Sequence, residues 1–141
     1  MKYLYNKFLS RILISSIIIF TGCNSEPDTS AKTVIPEIKE TKSGLASYYS
    51  RSFEGQKTAS GETFKNKELV AAHPTYPLGT ICRVTNAENG GTVEVRISDR
   101  GPTKENIKEG VIIDLSQGAA KKLGMMKDGR VSVKMTRPKR G

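Results

Sequence analysis

Histidine and cysteine are scarce in this 141-residue chain, which has one histidine, His73, and two cysteines, Cys23 and Cys82. There is no Cys-x-x-Cys pair and no ligand cluster around the single imidazole, so neither a metal nor a cofactor is expected. Cys82 lies in an apolar, β-branched stretch and reads as a small buried hydrophobe. The N-terminal apolar run, Ile12–Phe20, is shorter than the roughly 20 residues a helix needs to cross a bilayer. No basic helix with interleaved aromatics occurs, so nucleic acid is not an expected partner. The length leaves room for one ordinary domain.

Positive charge, in contrast, is plentiful. The net charge is +9, and about +6 remains once Lys2, Lys7 and Arg11 are set aside. In an exported chain a basic surface suits wall polymer or anionic headgroups. Export is indicated by those three cations, the apolar run behind them and the small residues Thr21-Gly22 before Cys23, so residues 1–22 read as a signal peptide. Phe20-Thr21-Gly22-Cys23 resembles a lipobox, in which the cysteine is acylated. Lipid on Cys23 would anchor the mature chain, each buried methylene contributing about 0.8 kcal/mol. A plain secretory signal with a coincidental cysteine is the alternative. Residues 24–43 are polar, carry Pro27 and Pro36, and read as a flexible linker. The alternation of Glu37, Lys39, Glu40 and Lys42 also fits a short helix.

From Gly44 the pattern changes to short β-type runs separated by Gly, Pro, Asn and Asp. Strands are expected at 44–49, 69–72, 80–85, 92–98, 111–115 and 130–136. Val93, Val95 and Ile97 alternate with Glu94, Arg96 and Ser98, and Val131, Val133 and Met135 repeat the period. Asn86–Gly91 has the composition of a turn with positive φ. One helix is expected over 117–123, with Ser116 as N-cap and Gly124 as the stop. Six short strands with one or two short helices indicate a mainly β, closed or nearly closed small barrel over residues 44–136. Residues 137–141 read as a basic tail, with no second domain behind it.

Asp99 draws attention on geometry. It continues the odd-numbered series Val93, Val95, Ile97, so alternation points it to the apolar face, just before the turn Arg100-Gly101-Pro102. A desolvated carboxyl there would hold its proton near neutral pH, as a general acid for glycoside cleavage must. A turn aspartate bonded to its own backbone, or paired with Arg100, is the plainer reading.

Several separated motifs narrow the choice. Gly44–Tyr49, Thr58–Glu62, Ala71-Ala72-His73, Val84-Thr85-Asn86, Val95–Pro102 and Ile112–Ser116 occur in order, and together they resemble the rare lipoprotein A family. The resemblance covers essentially all of 44–136. It implies a six-stranded double-psi β-barrel and lytic transglycosylation of peptidoglycan, with a preference for glycan strands stripped of stem peptides. It also implies that Asp99 is the catalytic acid/base and that Glu62 and His73 belong to the site. Tyr48-Tyr49-Ser50 stands where the family usually has Trp-Tyr-Gly, and Ser98 where it has asparagine.

The implied chemistry is intramolecular. The muramic 6-hydroxyl attacks the anomeric carbon while Asp99 first gives and then receives a proton, so no water and no second carboxylate nucleophile are needed. His73 would orient Asp99 or bond the glycan, or else be a structural histidine with a backbone partner. Glu62 lies in a loop and is either a site residue or a solvated carboxylate. Tyr48 and Tyr49 are candidates for stacking on sugar, although alternation sends one of them to the core. Asp114 reads as a cleft residue or as a carboxylate near a helix start. Arg100 reads as a ligand of the glycan or of Asp99. The expected partners are peptidoglycan glycan strands and, through Cys23, a membrane, with cell-division proteins as further candidates. The expected location is the outer membrane facing the periplasm. An expansin-like protein that binds polysaccharide without cutting it is the competing reading.

Overall fold

The computed structural model describes residues 39–138. The leader, Cys23 and most of the linker lie outside the described residues. Six strands form a closed barrel: β1 (Lys39–Tyr48), β2 (Val70–Ala72), β3 (Ile81–Asn86), β4 (Thr92–Asp99), β5 (Val111–Leu115) and β6 (Val131–Pro138). Their order around the barrel is β1-β5-β2-β4-β3-β6. The β1/β5 and β2/β4 pairs are parallel and the other four antiparallel. This is the small closed barrel that the strand pattern and the resemblance both led one to expect, with mixed strand directions. Among the described residues no helix is long and apolar enough to cross a membrane.

Period-two alternation builds the core. Val93, Val95 and Ile97 of β4, Cys82 and Val84 of β3, and Val131, Val133 and Met135 of β6 all point inward and are buried. Closing the sheet on itself removes exposed edges and leaves the interior to be filled by such side chains. Cys82 is fully buried, and burial pushes its thiol up to about 11. It is the inert hydrophobe expected.

Helix α2 (Gln117–Lys122) begins where Ser116 Oγ accepts the Ala119 N–H at 3.3 Å. It ends at Gly124, whose φ of +72° suits glycine. Asn86, buried at the end of β3, donates through Nδ2 to Leu123 O at 3.2 Å and so ties the β3–β4 turn to the end of α2. A second helix, α1 (Lys104–Lys108), is capped by Thr103 and buries no residue, so it carried no apolar stripe to betray it.

Two boundaries differ from expectation. β1 begins at Lys39, inside the segment read as linker, and pairs with β6 from Lys39↔Pro138 to Ala46↔Val131. The Lys/Glu alternation of that segment is the outer part of a strand: Lys39, Thr41, Lys42 and Ser43 are exposed, and Glu40 is bridged by Lys42 and Arg137. Arg137 and Pro138, read as the start of the tail, are correspondingly the end of β6.

Candidate active-site groove

The ends of β1, β4 and β5 and the start of α1 enclose a groove of about 270 Å³. Two carboxylates line it, Asp99 and Asp114. Ala72 of β2 lies between them, paired in register with Asp99 on one side and with Asp114 on the other. Two strand spacings put their backbones about 10 Å apart, with both side chains reaching into the same groove.

Asp99 is not where alternation put it. The β2/β4 register shifts so that Ala71 faces Ile97 but Ala72 faces Asp99. Ser98 is the extra residue of this bulge. It turns inward and is buried, while Asp99 is swung out, half-buried, into the groove. Its surroundings are polar rather than apolar. Oδ1 accepts the N–H groups of Ala59 (2.9 Å) and Arg100 (2.8 Å), and Oδ2 accepts the Tyr49 hydroxyl (3.0 Å). Every hydrogen-bond partner of this carboxylate is a donor, so the expectation of an acid stranded among hydrophobes is corrected.

Each donor has its own support. The Tyr49 ring packs against Phe53 and Phe64, with centroids 5.1 and 4.7 Å away. Burial first, and then the Asp99 charge and hydrogen bond, push the Tyr49 phenol well above its usual range, so it remains a donor. Ala59 belongs to a tight loop in which Thr58 N–H donates to Glu62 O and Gly61 N–H donates to Thr58 O, both at 2.9 Å. Gly61 takes φ +84° there. Ser60 N–H, bonded to Ser98 O at 3.1 Å, fastens the loop to the bulge. Glu62 grips Arg96 of β4 with both oxygens, at 2.9 and 2.8 Å. Its side chain does not line the groove. It holds the loop that delivers the Ala59 amide.

Asp114 has a different environment. It is half-buried, and Ser47 Oγ donates to its Oδ1. Burial pushes its carboxyl above the usual range, and the Ser47 hydrogen bond and the Arg130 charge oppose this only in part. Gly101 crosses close by at φ +154°. A Cβ there would lie 3.3 Å from Ala72 Cβ and 3.4 Å from Asp114 Oδ2. Ala72 and Gly101 thus keep the floor between the two acids clear. Asp114 is a groove residue, and the α2 cap is Ser116.

Arg100 lines the groove, whereas the His73 ring takes the structural place that was its alternative reading. The His73 side chain does not line the groove, and the residue is only 2% exposed. Its Nδ1 accepts the N–H groups of Thr75 (3.2 Å) and Tyr76 (3.0 Å), and its ring stacks on Tyr76 at 3.7 Å. Burial, followed by the charges of Lys42, Arg137 and Arg100, pushes its pKa down to about 4 against the opposing pull of Glu40. The imidazole is therefore neutral at pH 7, and with Nδ1 accepting, its proton sits on Nε2. His73 reaches the site through its backbone: its N–H donates to Asp99 O at 3.2 Å. The Arg100 guanidinium does not pair with the Asp99 carboxylate, which Arg100 meets only through its backbone N–H. Its Nη1 donates to the carbonyls of His73 (3.2 Å) and Tyr76 (2.8 Å). Tyr48 and Tyr49 both line the groove. Tyr48 also packs on the core and donates to Met126 O at 3.2 Å.

Ser47, Phe53, Thr103 and Asn106 also line the groove and were not picked out from the sequence. Ser47 left a signal: two residues before Tyr49 on one strand, it shares that residue's face. Phe53 arrives from the single 3-10 turn Arg51–Phe53, and Thr103 and Asn106 from the cap and first turn of α1, segments too short to carry a periodicity. Among the described residues no three His, Cys, Asp or Glu side chains are grouped to hold a metal ion.

The fold and the groove together define a small closed mixed barrel with two carboxylates in one surface cleft. The chain belongs to the lytic transglycolase family, whose model matches residues 41–135. The endolytic peptidoglycan transglycosylase RlpA of Campylobacter jejuni is 44% identical over 107 residues, covering 74% of this chain and 38% of that protein. RlpA of Pseudomonas aeruginosa is 48% identical over 92 residues, 65% of this chain and 26% of that protein. The chain thus spans well under half the length of these relatives. Among solved structures, a Streptomyces papain inhibitor superposes with a TM-score of 0.55 at 24% identity, over 71% of this chain and 96% of that one. A Clavibacter michiganensis expansin in complex with cellohexaose superposes with a TM-score of 0.53 at 20% identity, over 71% and 51%. These two likenesses speak for the double-psi β-barrel fold alone.

Proposed function

We propose that this chain is a peptidoglycan lytic transglycosylase. It cleaves the bond between N-acetylmuramic acid and N-acetylglucosamine, preferring strands without stem peptides, and leaves 1,6-anhydro-muramic ends. The observation that carries the reading is the Asp99 carboxylate, aimed into the groove and held by three donors, in a chain 44–48% identical over the barrel to the two transglycosylases compared. The muramic 6-hydroxyl lies within the substrate, so its attack gains from effective molarity, and the protein has to supply only orientation and proton transfer. Asp99 is the group beside which the hydroxyl loses its proton. Tyr48 and Tyr49 offer ring surface to the sugars. The basic excess of the chain suits the lactyl carboxylate that a missing stem peptide leaves free.

The test is the product. Full-length protein incubated with denuded glycan strands is expected to release fragments ending in 1,6-anhydro-muramic acid, read by mass spectrometry. Strands bound but left intact would replace the transglycosylase reading with an expansin-like one.

Anchoring rests on the leader pattern: acylation of Cys23 would hold the barrel at the outer membrane, facing the wall it acts on. A Cys23→Ser chain is then expected in the soluble fraction of the envelope, and its retention in the membrane would refute the anchor. Proteins of the division machinery are the partners this placement suggests.

A further inference from the structure

The two acids of the groove differ in a way that one acid/base does not require. Asp99 is furnished with three hydrogen-bond donors, from a loop amide, from the next backbone amide and from a phenol. Asp114 has one, the Ser47 hydroxyl. Asp99 lies at a strand end turned outward by a bulge, whereas Asp114 is an interior residue of β5, set against β1 and β2. Both face the space above Ala72 and Gly101, where a Cβ on Gly101 would touch Asp114 Oδ2. Where two carboxyls share a site and their environments pull apart, one is furnished to accept a proton and the other to carry one.

From this geometry, and resting on the transglycosylase reading above, we propose that Asp114 is the proton donor of the reaction and Asp99 the acceptor. Asp114 gives its proton to the glycosidic oxygen as the bond from muramic C1 to that oxygen breaks. The 6-hydroxyl oxygen forms the new bond to C1, and its proton passes to Asp99. One bond is made and one broken, and no water is consumed. The proton then returns from Asp99 to Asp114 through solvent in the groove, and the site is reset. Ser47 is the positioning residue of the donor. Its hydrogen bond also opposes the upward push of burial on the Asp114 carboxyl.

The charged and titratable groups around Asp114 are Asp99, Tyr48, Tyr49 and Arg100, which line the same groove, and Arg130 at the end of the loop before β6; the Arg100 guanidinium is engaged by the carbonyls of His73 and Tyr76. Arg130 is engaged by Glu109 and Asn106. No other group has to be invoked for the limb of the pH profile that Asp114 would set. Activity falls on the alkaline side as the donor ionises.

The assay is release of anhydro ends from denuded glycan, followed as kcat/KM against pH for full-length wild type, Asp114→Asn and Ser47→Ala. Asp114→Asn is expected to lose at least about 100-fold in rate, in keeping with loss of a general acid, while still binding glycan. Its residual activity is expected to lack the alkaline limb. Ser47→Ala is expected to stay active with the alkaline limb displaced to higher pH. Carbon-detected titration of the Asp114 carboxyl is expected to move in the same direction. An Asp114→Asn protein within threefold of wild type overturns the assignment, and so does a Ser47→Ala alkaline limb that does not move. A folded wild type that binds strands and forms no anhydro ends removes the transglycosylase reading, and this assignment with it. An active wild type beside an unimpaired Asp114→Asn removes the assignment alone.

Discussion

Replacing His73 by asparagine should make the protein less sensitive to acid, and the size of the effect follows from the burial of one imidazole. His73 is held neutral, with its pKa pushed down to about 4, while in the unfolded chain it titrates near 6.5. A depressed folded pKa means stability that is fully present above about 6.5 and lost as pH falls toward 4. A displacement of this size amounts to about 3 kcal/mol at pH 4 if unscreened; partial exposure to water on opening brings it to about 2–3 kcal/mol. For a barrel of this length each kcal/mol moves the midpoint by about 4–8 °C, so His73 alone accounts for on the order of 10 °C between pH 7 and pH 4.

Asparagine keeps an acceptor where Nδ1 receives the Thr75 and Tyr76 amides and cannot be protonated. It loses the stacking on Tyr76, so the variant begins less stable at pH 7, by about 1 kcal/mol. The comparison that matters is the difference between the two proteins, since carboxylates titrate alike in both. Calorimetry at pH 7, 6, 5 and 4 should show the midpoints converging and then crossing as pH falls, with the variant the more stable protein at pH 4. Parallel curves across that range would refute the reasoning and mean that the imidazole is free to ionise where it stands.

Four further outcomes follow from the groove. Tyr49→Phe removes one of the three donors to Asp99 but keeps the ring between Phe53 and Phe64, so kcat should fall about tenfold at a stability cost of about 1 kcal/mol; loss of the fold, read by circular dichroism, would contradict this. Raising the pH above about 10 should destabilise wild type more than Tyr49→Phe in thermal melts, because the folded state holds the phenol protonated where the unfolded chain lets it ionise. Gly101→Ala should cost about 1–3 kcal/mol and abolish cleavage, as both the +154° backbone and the clear floor beside Asp114 are lost; wild-type turnover would show that the floor does not matter. Finally, Asp114→Asn should raise the unfolding midpoint at pH 7 and leave it unchanged near pH 3. Burial raises the folded pKa of Asp114, so its ionisation works against folding once the pH exceeds the unfolded value near 4.

Much of the barrel could be read from local pattern. Val93-Val95-Ile97 and Val131-Val133-Met135 state their strands by period alone, because one face of each must enter a core. Ser116 and Gly124 mark the ends of α2 through cap chemistry that is local to a few residues. The start of β1 could not be read the same way. Lys39–Ser43 is a strand only because β6 lies alongside it, and a polar sequence names no partner.

Within the groove, the separated motifs brought Asp99, Tyr49 and Asp114 to notice before any geometry was known. Their arrangement was decided by the tertiary structure. Alternation sent Asp99 inward, and a bulge that exists only because β2 pairs with β4 turned it out to three donors lying 50, 40 and 1 residues away. His73 sits beside Asp99 by backbone register, yet its ring faces Tyr76, because stacking and two amide donors hold it there. The chain alone determined which residue types are present and which strands and caps they form, since those depend on neighbours a few positions off. Which acid is given three donors, which is given one and which histidine nitrogen carries the proton depend on distant segments meeting, and only the closed barrel decides that.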